Sequence, residues 1–233
     1  MSNKDNDINN LKIAYQSRTG PNLNNYSWFH SDVCLYRQER DRVMLQLLKK
    51  AKMTNLSELD IFEVGCGFGD NLLNLIKLGA LPQKIWGSDI IDSRVKDARS
   101  RLPESVNLFV EDSSEDNHNN TKSFNLILQF TVFSSILSDK TQLELASKLM
   151  SLLQKDGYIL WYDFIYSNPK NKSVRGVSKS RIKELFPNAE ITFKKVTLAP
   201  PIGRALVRRA PFLSQVLNLF PILKTHTFAL IKK

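Results

Sequence analysis

The sequence predicts an α/β fold, a mostly parallel sheet covered by helices on both faces. Three observations carry that reading. Strand-like and helix-like runs alternate through residues 61–165. The strand-like runs at 61–64 and 124–130 hold apolar residues at both odd and even positions, as strands buried on both faces do. The first of them ends in Gly65, Gly67 and Gly69, and a segment of helical periodicity follows at once. Strand, glycine turn and helix in that order form a βα unit of a parallel sheet.

Each element has its own signal. Ile61, Phe62 and Val64 are strand formers, and Leu72, Leu73, Leu75, Ile76 and Leu78 repeat at helical spacing over 70–78. Residues 83–90 read as a second strand ending in Asp89, and 92–102 as a helix with Val95, Ala98 and Leu102 on one face, stopped by Pro103. A third strand spans 106–110, with Glu111, Asp112 and Ser113 directly after it. The fourth, 124–130, carries the polar Gln129 near its tip. A helix over about 140–153 follows, with Gly157 expected to end the turn after it. The fifth strand, 158–165, carries Tyr162 and Asp163 near its end. Residues 190–198 and 225–231 supply two further strands.

The glycine turn departs from the dinucleotide fingerprint G-x-G-x-x-G, because its third glycine comes one residue early and Asp70 stands in the fingerprint position. A pyrophosphate seeks bare N–H groups at a helix N-terminus. Here Glu63 precedes the turn and Asp70 opens the helix. Two carboxylates repel a pyrophosphate and suit a ligand bearing an ammonium or sulfonium charge. Asp89 lies 20 residues after Gly69, at a strand end, the place from which an acid accepts hydrogen bonds from ribose hydroxyls.

Residues 63–69, Glu-Val-Gly-Cys-Gly-Phe-Gly, resemble motif I of class I S-adenosylmethionine-dependent methyltransferases, (D/E)-x-G-x-G-x-G. The resemblance extends over about 55–165. It implies a Rossmann-like three-layer sandwich whose seven-stranded, mostly parallel sheet ends in an antiparallel strand, with 226–231 for that strand. It implies S-adenosyl-L-methionine as cofactor, held by Glu63, Gly65, Cys66, Gly67 and Gly69 at the turn and by Asp89 and Ile90 beside the ribose. Asp112 falls where the family meets the adenine amine and Ser113 where a backbone N–H meets the ring. Gln129 falls where the family has a residue facing the cofactor. A nicotinamide-dependent oxidoreductase is a rival that Asp70 argues against, and a binding or scaffold protein without turnover is another.

Residues 1–54 read as an N-terminal segment and lid helix, and 55–233 as the catalytic domain. The first ten residues are polar and lack the apolar core of a secretory signal, so a frayed start and a cytoplasmic chain are expected. A helix runs from Ser31 or Asp32 to about Lys50. The family often folds such a segment over its cofactor, where Arg18 or Arg37 would pair with the methionine carboxylate. The plainer alternative packs Trp28 and Phe29 on the sheet edge and leaves the arginines in water.

The net charge of +10 is uneven. Residues 165–233 hold 14 Lys/Arg against 2 Asp/Glu, a net of +12, whereas residues 1–164 hold 19 against 21, a net of −2. Such asymmetry points to an anionic partner. Residues 198–223 form a basic, apolar insert broken by prolines 200, 201, 211 and 221. Three roles are open to it: a cap on the substrate, an element lying on an anionic membrane surface at the inner face, or a solvated basic face. The insert lacks interleaved aromatics and any nucleic-acid module, which speaks against a nucleic-acid partner. Cys34 and Cys66 are the two cysteines, and no Cys/His cluster has metal-ligand spacing.

Methyl transfer needs acceptor and methyl brought into line, and an oxygen acceptor often needs a base. Asp163 and Tyr162 are the best-placed catalytic residues by sequence. His118 lies in an acidic loop, His30 in the lid segment and His226 at the start of the last strand. The runs Trp161–Phe164, Asn168–Asn171, Val174–Val177 and Leu198–Pro201 resemble bacterial methyltransferases associated with cell-surface polysaccharide biosynthesis. That second resemblance implies O-methylation of a saccharide acceptor, lipid-linked in some readings, or of another small molecule.

Overall fold

A computed structural model of the 233-residue chain describes residues 27–110, 122–167, 171–199, 202–203, 213 and 216–233. Helix α1 spans Ser31–Lys50, and β1 Ile61–Val64 leads through the glycine turn into α2, Asp70–Lys77. Then come β2 Ile85–Asp89, α3 Asp92–Arg101, β3 Asn107–Val110, β4 Phe124–Phe130 and α4 Asp139–Leu152. The chain continues with β5 Leu153–Phe164, α5 Lys179–Leu185, β6 Glu190–Leu198 and β7 Lys224–Lys232. The sheet order is β3-β2-β1-β4-β5-β7-β6. β7 runs antiparallel to both β5 and β6, and the pairs among β1 to β5 are parallel. This is the expected sandwich.

The alternation of side chains along each strand splits the core in two. On one face Ile61, Ile85, Leu126, Leu128 and Leu160 meet Leu47 and Leu48 of α1, Leu72 and Leu75 of α2, and Val95 and Ala98 of α3. On the other, Phe62, Ile127, Ile159 and Trp161 meet Leu145 and Leu149 of α4 and Ile182 and Leu185 of α5. Local signals fix the helix ends. The Ser138 hydroxyl accepts from Thr141 N and the Ser178 hydroxyl from Arg181 N, capping α4 and α5. Leu102, before Pro103, is extended, the conformation a following proline favours.

Three expectations are corrected. Residues 83–84 fall in a 3₁₀ turn, Pro82–Lys84, ahead of β2. Gly157 does not close the turn after α4. β5 begins directly at Leu153, Asp156 takes the left-handed conformation at φ +64, and Gly157 lies at a bulge in β5. A side chain at Gly157 would meet Gln154 O at 3.0 Å and Phe124 O at 3.1 Å, so crowding is what requires glycine there. Trp28 and Phe29 do not pack on the sheet: Phe29 is fully exposed, and Arg37 lies 4.6 Å from the Trp28 ring centroid. The neck of the 198–223 insert is closed, with Ala199 N donating to Leu223 O at 2.9 Å.

Candidate functional site

The carboxyl ends of β1, β2, β4 and β5 surround the glycine turn. Gly65, Gly67 and Gly69 all have positive φ, +66, +53 and +77. They do two kinds of work. A Cβ on Gly65 would stand 2.4 Å from Val132 Cγ2, and one on Gly69 would stand 2.6 Å from Leu102 Cδ1. A Cβ on Gly67 would meet nothing within 4 Å. Gly65 and Gly69 therefore allow close packing, whereas Gly67 presents open backbone. Cys66 is buried, its N–H donates to Ser88 O at 2.8 Å, and burial pushes its thiol pKa up, so it is no thiolate nucleophile.

Two carboxylates flank the turn. Asp89 accepts from Gly67 N at 3.0 Å through Oδ2 and from Ile91 N at 2.9 Å through Oδ1. It locks the turn to the end of β2, and each oxygen keeps a second acceptor position. Ile90 follows it in a half-buried bend. Glu63 is buried beneath the turn. Its Oε1 accepts from Asn71 Nδ2 at 2.6 Å, while Oε2 is buried with no hydrogen-bond partner. Burial raises its pKa to about 8, against the lowering effect of Asn71. A carboxyl with an orphaned oxygen is a seat for a cationic group.

A cavity of about 180 Å³ opens beside the glycine turn, with Asn71, the partner of Glu63, in its lining. Cys66, Phe68, Asp70 and Asn71 wall one side, Phe130, Thr131 and Tyr162 the other, and Arg37 and Arg40 of α1 the roof. Arg37 approaches Asp70 at 3.8 Å, and Arg101 holds the other Asp70 oxygen at 2.5 Å. Glu39 fixes this roof. It is buried, accepting from Lys224 Nζ at 2.9 Å and from Thr197 N at 3.0 Å, so it pins α1 to β6 and β7. Thr131, at φ +59, is a β-branched residue in a left-handed conformation, a strained turn at the cavity wall.

Tyr162 and Asp163 part company. Adjacent strand residues point to opposite faces. Tyr162 shares the face of Phe130 and Phe228 and lines the cavity, its hydroxyl 3.1 Å from Thr197 Oγ1 and its ring stacked on His226 at 5.2 Å. Burial raises the Tyr162 pKa and lowers that of His226 to about 4, so both are neutral at pH 7. Asp163 turns away. It is fully buried, and accepts from Ser134 N at 3.0 Å and from Phe164 N at 2.9 Å. Burial raises its pKa to about 7. Gln129 does not face the cavity either. It pairs with Val64 and Trp161 on the other face, and its Oε1 accepts from Val132 N at 2.7 Å. Asp112 and Ser113 lie outside the described residues, as does Arg18.

Comparison with known proteins narrows the kind of site. Residues 61–157 match the family model of a methyltransferase domain. The match covers β1 through the bulge of β5 and so contains Glu63, Asp89 and the glycine turn. No curated protein sequence matches the chain. Among solved structures, magnesium protoporphyrin IX methyltransferase (ChlM) from Synechocystis PCC 6803, with bound SAM, has a TM-score of 0.63 at 13% identity, covering 96% of this chain and 97% of its own. The N-methyltransferase NodS from Bradyrhizobium japonicum WM9, in complex with S-adenosyl-l-homocysteine, has a TM-score of 0.60 at 13% identity, covering 84% and 87%. The [4+2]-cyclase SpnF has a TM-score of 0.58 at 14% identity, covering 84% and 82%. At such identities the likeness is one of fold, and a fold hosts more than one chemistry.

Sequence reasoning missed three residues of this site. Arg40 lies three residues after Arg37, one helical turn away on the same face, and that spacing was a usable signal. Glu39 and Asn71 gave none, because an acid in a charged helix and an Asn after Asp70 look like surface residues until the fold buries them.

Proposed function

We propose that the chain is an S-adenosylmethionine-dependent methyltransferase that methylates a small acceptor, a saccharide by the second resemblance. The observation that supports it best is Glu63, a buried carboxyl with one oxygen unpaired, beneath a glycine turn whose middle glycine has open space. These residues fit the cofactor. Glu63 takes the ammonium of the methionine moiety, Arg37 its carboxylate, and Asp89 the ribose hydroxyls. The cofactor when bound supplies an electrophilic methyl group on sulfonium.

The chain's own residues then position and shield. Phe130 and Tyr162 give the acceptor an apolar wall, and the α1 roof excludes water. Tyr162 is no general base, because burial raises its pKa and its hydroxyl is engaged with Thr197. Asp163 supports the wall from behind rather than touching the acceptor. Proximity and alignment are therefore the main catalytic resource.

Calorimetry with S-adenosylhomocysteine, with NAD as control, tests the reading. Micromolar binding of the first and none of the second is expected. Binding of NAD in preference would sink it.

The insert adds a second partner to this reading. Leu219, Phe220 and Ile222 expose 77%, 52% and 79% of their surface, three large apolar residues within four positions. No helix among the described residues is long and apolar enough to cross a membrane. With the +12 charge of residues 165–233, this supports docking on an anionic membrane at the inner face, where a lipid-linked saccharide would be met. Cosedimentation with phosphatidylglycerol vesicles but not phosphatidylcholine vesicles is expected, and equal recovery with both would refute it.

A further inference from the structure

We propose that the acceptor carries a compact oxyanion, a phosphoryl group or a carboxylate, and that Arg40 binds it. This rests on the cofactor reading above and names the acceptor's chemistry.

The cavity holds more positive charge than the cofactor can use. Arg37 and Arg40 both line it. Asp70 is the carboxylate on its wall, already shared between Arg37 and Arg101. Glu63 is protonated at neutral pH in the absence of a cation. S-adenosylmethionine brings one carboxylate with two cationic centres, an ammonium and a sulfonium, and so adds one net positive charge. One guanidinium answers the carboxylate, and the other is left facing the cavity.

Position separates the two arginines. Arg37 sits over the glycine-turn side, against Asp70 at the start of α2. Arg40 sits over the β4 side, 5.5 Å from the Phe130 ring centroid. Phe130 and Tyr162 are the apolar wall assigned to the acceptor, with ring centroids 5.4 Å apart. Among the described residues, Arg40 forms its ion pair with its chain neighbour Asp41 at 3.6 Å, its charge also acts on Glu63, and its Nε is buried without a hydrogen-bond partner. A guanidinium lining a cavity beside an aromatic ring recognises phosphate or carboxylate through its planar N–H fork. The basic C-terminal third raises the local concentration of such an anion.

The test uses the full chain saturated with S-adenosylhomocysteine, titrated with inorganic phosphate and, separately, acetate at fixed ionic strength. Saturable binding of at least one is expected, and the stronger of the two identifies the group. Arg40→Met should weaken it about tenfold or more, the loss of a hydrogen bond to a charged group, and leave S-adenosylhomocysteine affinity within about threefold. Arg37→Met should do the reverse. Arg40→Lys, which keeps charge and stem, should lie between wild type and Arg40→Met. The proposal is overturned if neither anion binds, if Arg40→Met leaves both affinities unchanged, or if it weakens S-adenosylhomocysteine as much as Arg37→Met does. Failure of the wild-type chain to bind S-adenosylhomocysteine at all would instead overturn the cofactor reading beneath it.

Discussion

Replacing Glu39 with alanine should unfasten the roof of the site. Glu39 is 4% exposed and its two oxygens hold Lys224 Nζ and Thr197 N, on two different strands. Alanine leaves the Lys224 ammonium, whose side chain is 14% exposed, without its counter-charge, and strands a backbone N–H. Removing one partner of a buried pair costs about 3–5 kcal/mol. The partial exposure of Lys224 favours the lower end, about 3 kcal/mol, equivalent to a Tm drop of roughly 6–12 °C at this chain length. Urea unfolding measures it. Two companions sharpen the result. Lys224→Met on the Glu39→Ala background should recover part of the loss, because it removes the unpaired charge. Glu39→Gln should cost less than alanine, since its carbonyl still accepts from Thr197 N. S-adenosylhomocysteine affinity should fall with Glu39→Ala, because Arg37 rides on the same helix. A loss below about 1 kcal/mol with unchanged ligand affinity would refute the clamp.

Other perturbations separate structure from binding. Asp89→Ala should weaken S-adenosylhomocysteine at least tenfold, a hydrogen-bond loss of about 1.5–3 kcal/mol; unchanged affinity in calorimetry would remove Asp89 from the site. Gly69→Ala should destabilise more in urea unfolding than Gly67→Ala, because both have positive φ but only the new Cβ at position 69 must also push aside the end of the Leu102 side chain at 2.6 Å; Gly67→Ala should cost about 1–2 kcal/mol for its positive φ yet impair ligand binding. Glu63 titrates at about 8 when folded and near 4.5 when unfolded, so the native state holds a proton that the unfolded state has lost. Its contribution to stability therefore falls as pH rises from about 4.5 to 8. Urea midpoints of Glu63→Gln relative to wild type should improve steadily from pH 5 to pH 8, and a pH-independent difference would contradict the buried protonated carboxyl. Binding of a cationic amine there should release up to one proton at pH 7, read from calorimetry in buffers of different ionisation enthalpy.

The sequence announced most of the fold because its signals were local. Alternating periodicity, three glycines after an apolar strand and an acid 20 residues on are all readable without tertiary information. The side of the sheet on which a residue works was not readable. In β4 and β5 both faces are apolar, so Tyr162 and Asp163, or Gln129 and Phe130, look equivalent until the register is known. Pairing of Phe130 with Tyr162 and of Gln129 with Trp161 then decides it. The Gly157 error has a similar cause: glycine at a helix end signals a turn, but the left-handed residue is Asp156 and the glycine answers to crowding across the bulge. Arg40 was passed over because an arginine on a charged helix reads as solvated until the helix is seen to cover a cavity.

The two residues that turned away from the cavity still shape it. Gln129 Oε1 accepts from Val132 N and Asp163 Oδ2 from Ser134 N, so both grip the same short segment after β4 from behind. Thr131 N is tied to Tyr162 O at 2.8 Å, and the Thr131 hydroxyl donates to Phe130 O at 2.7 Å. Between these ties Thr131 is held at φ +59, a conformation that a β-branched residue adopts only under constraint. The same segment sets Val132 so close to Gly65 that only glycine fits opposite. Buried polar groups on the rear face thus fix the wall of the cavity and the entry to the glycine turn together. An acid at the end of β5 need not face the cavity to shape it; Asp163 holds Ser134 and Gln129 holds Val132, so the segment that sets Val132 against Gly65 is gripped at both positions.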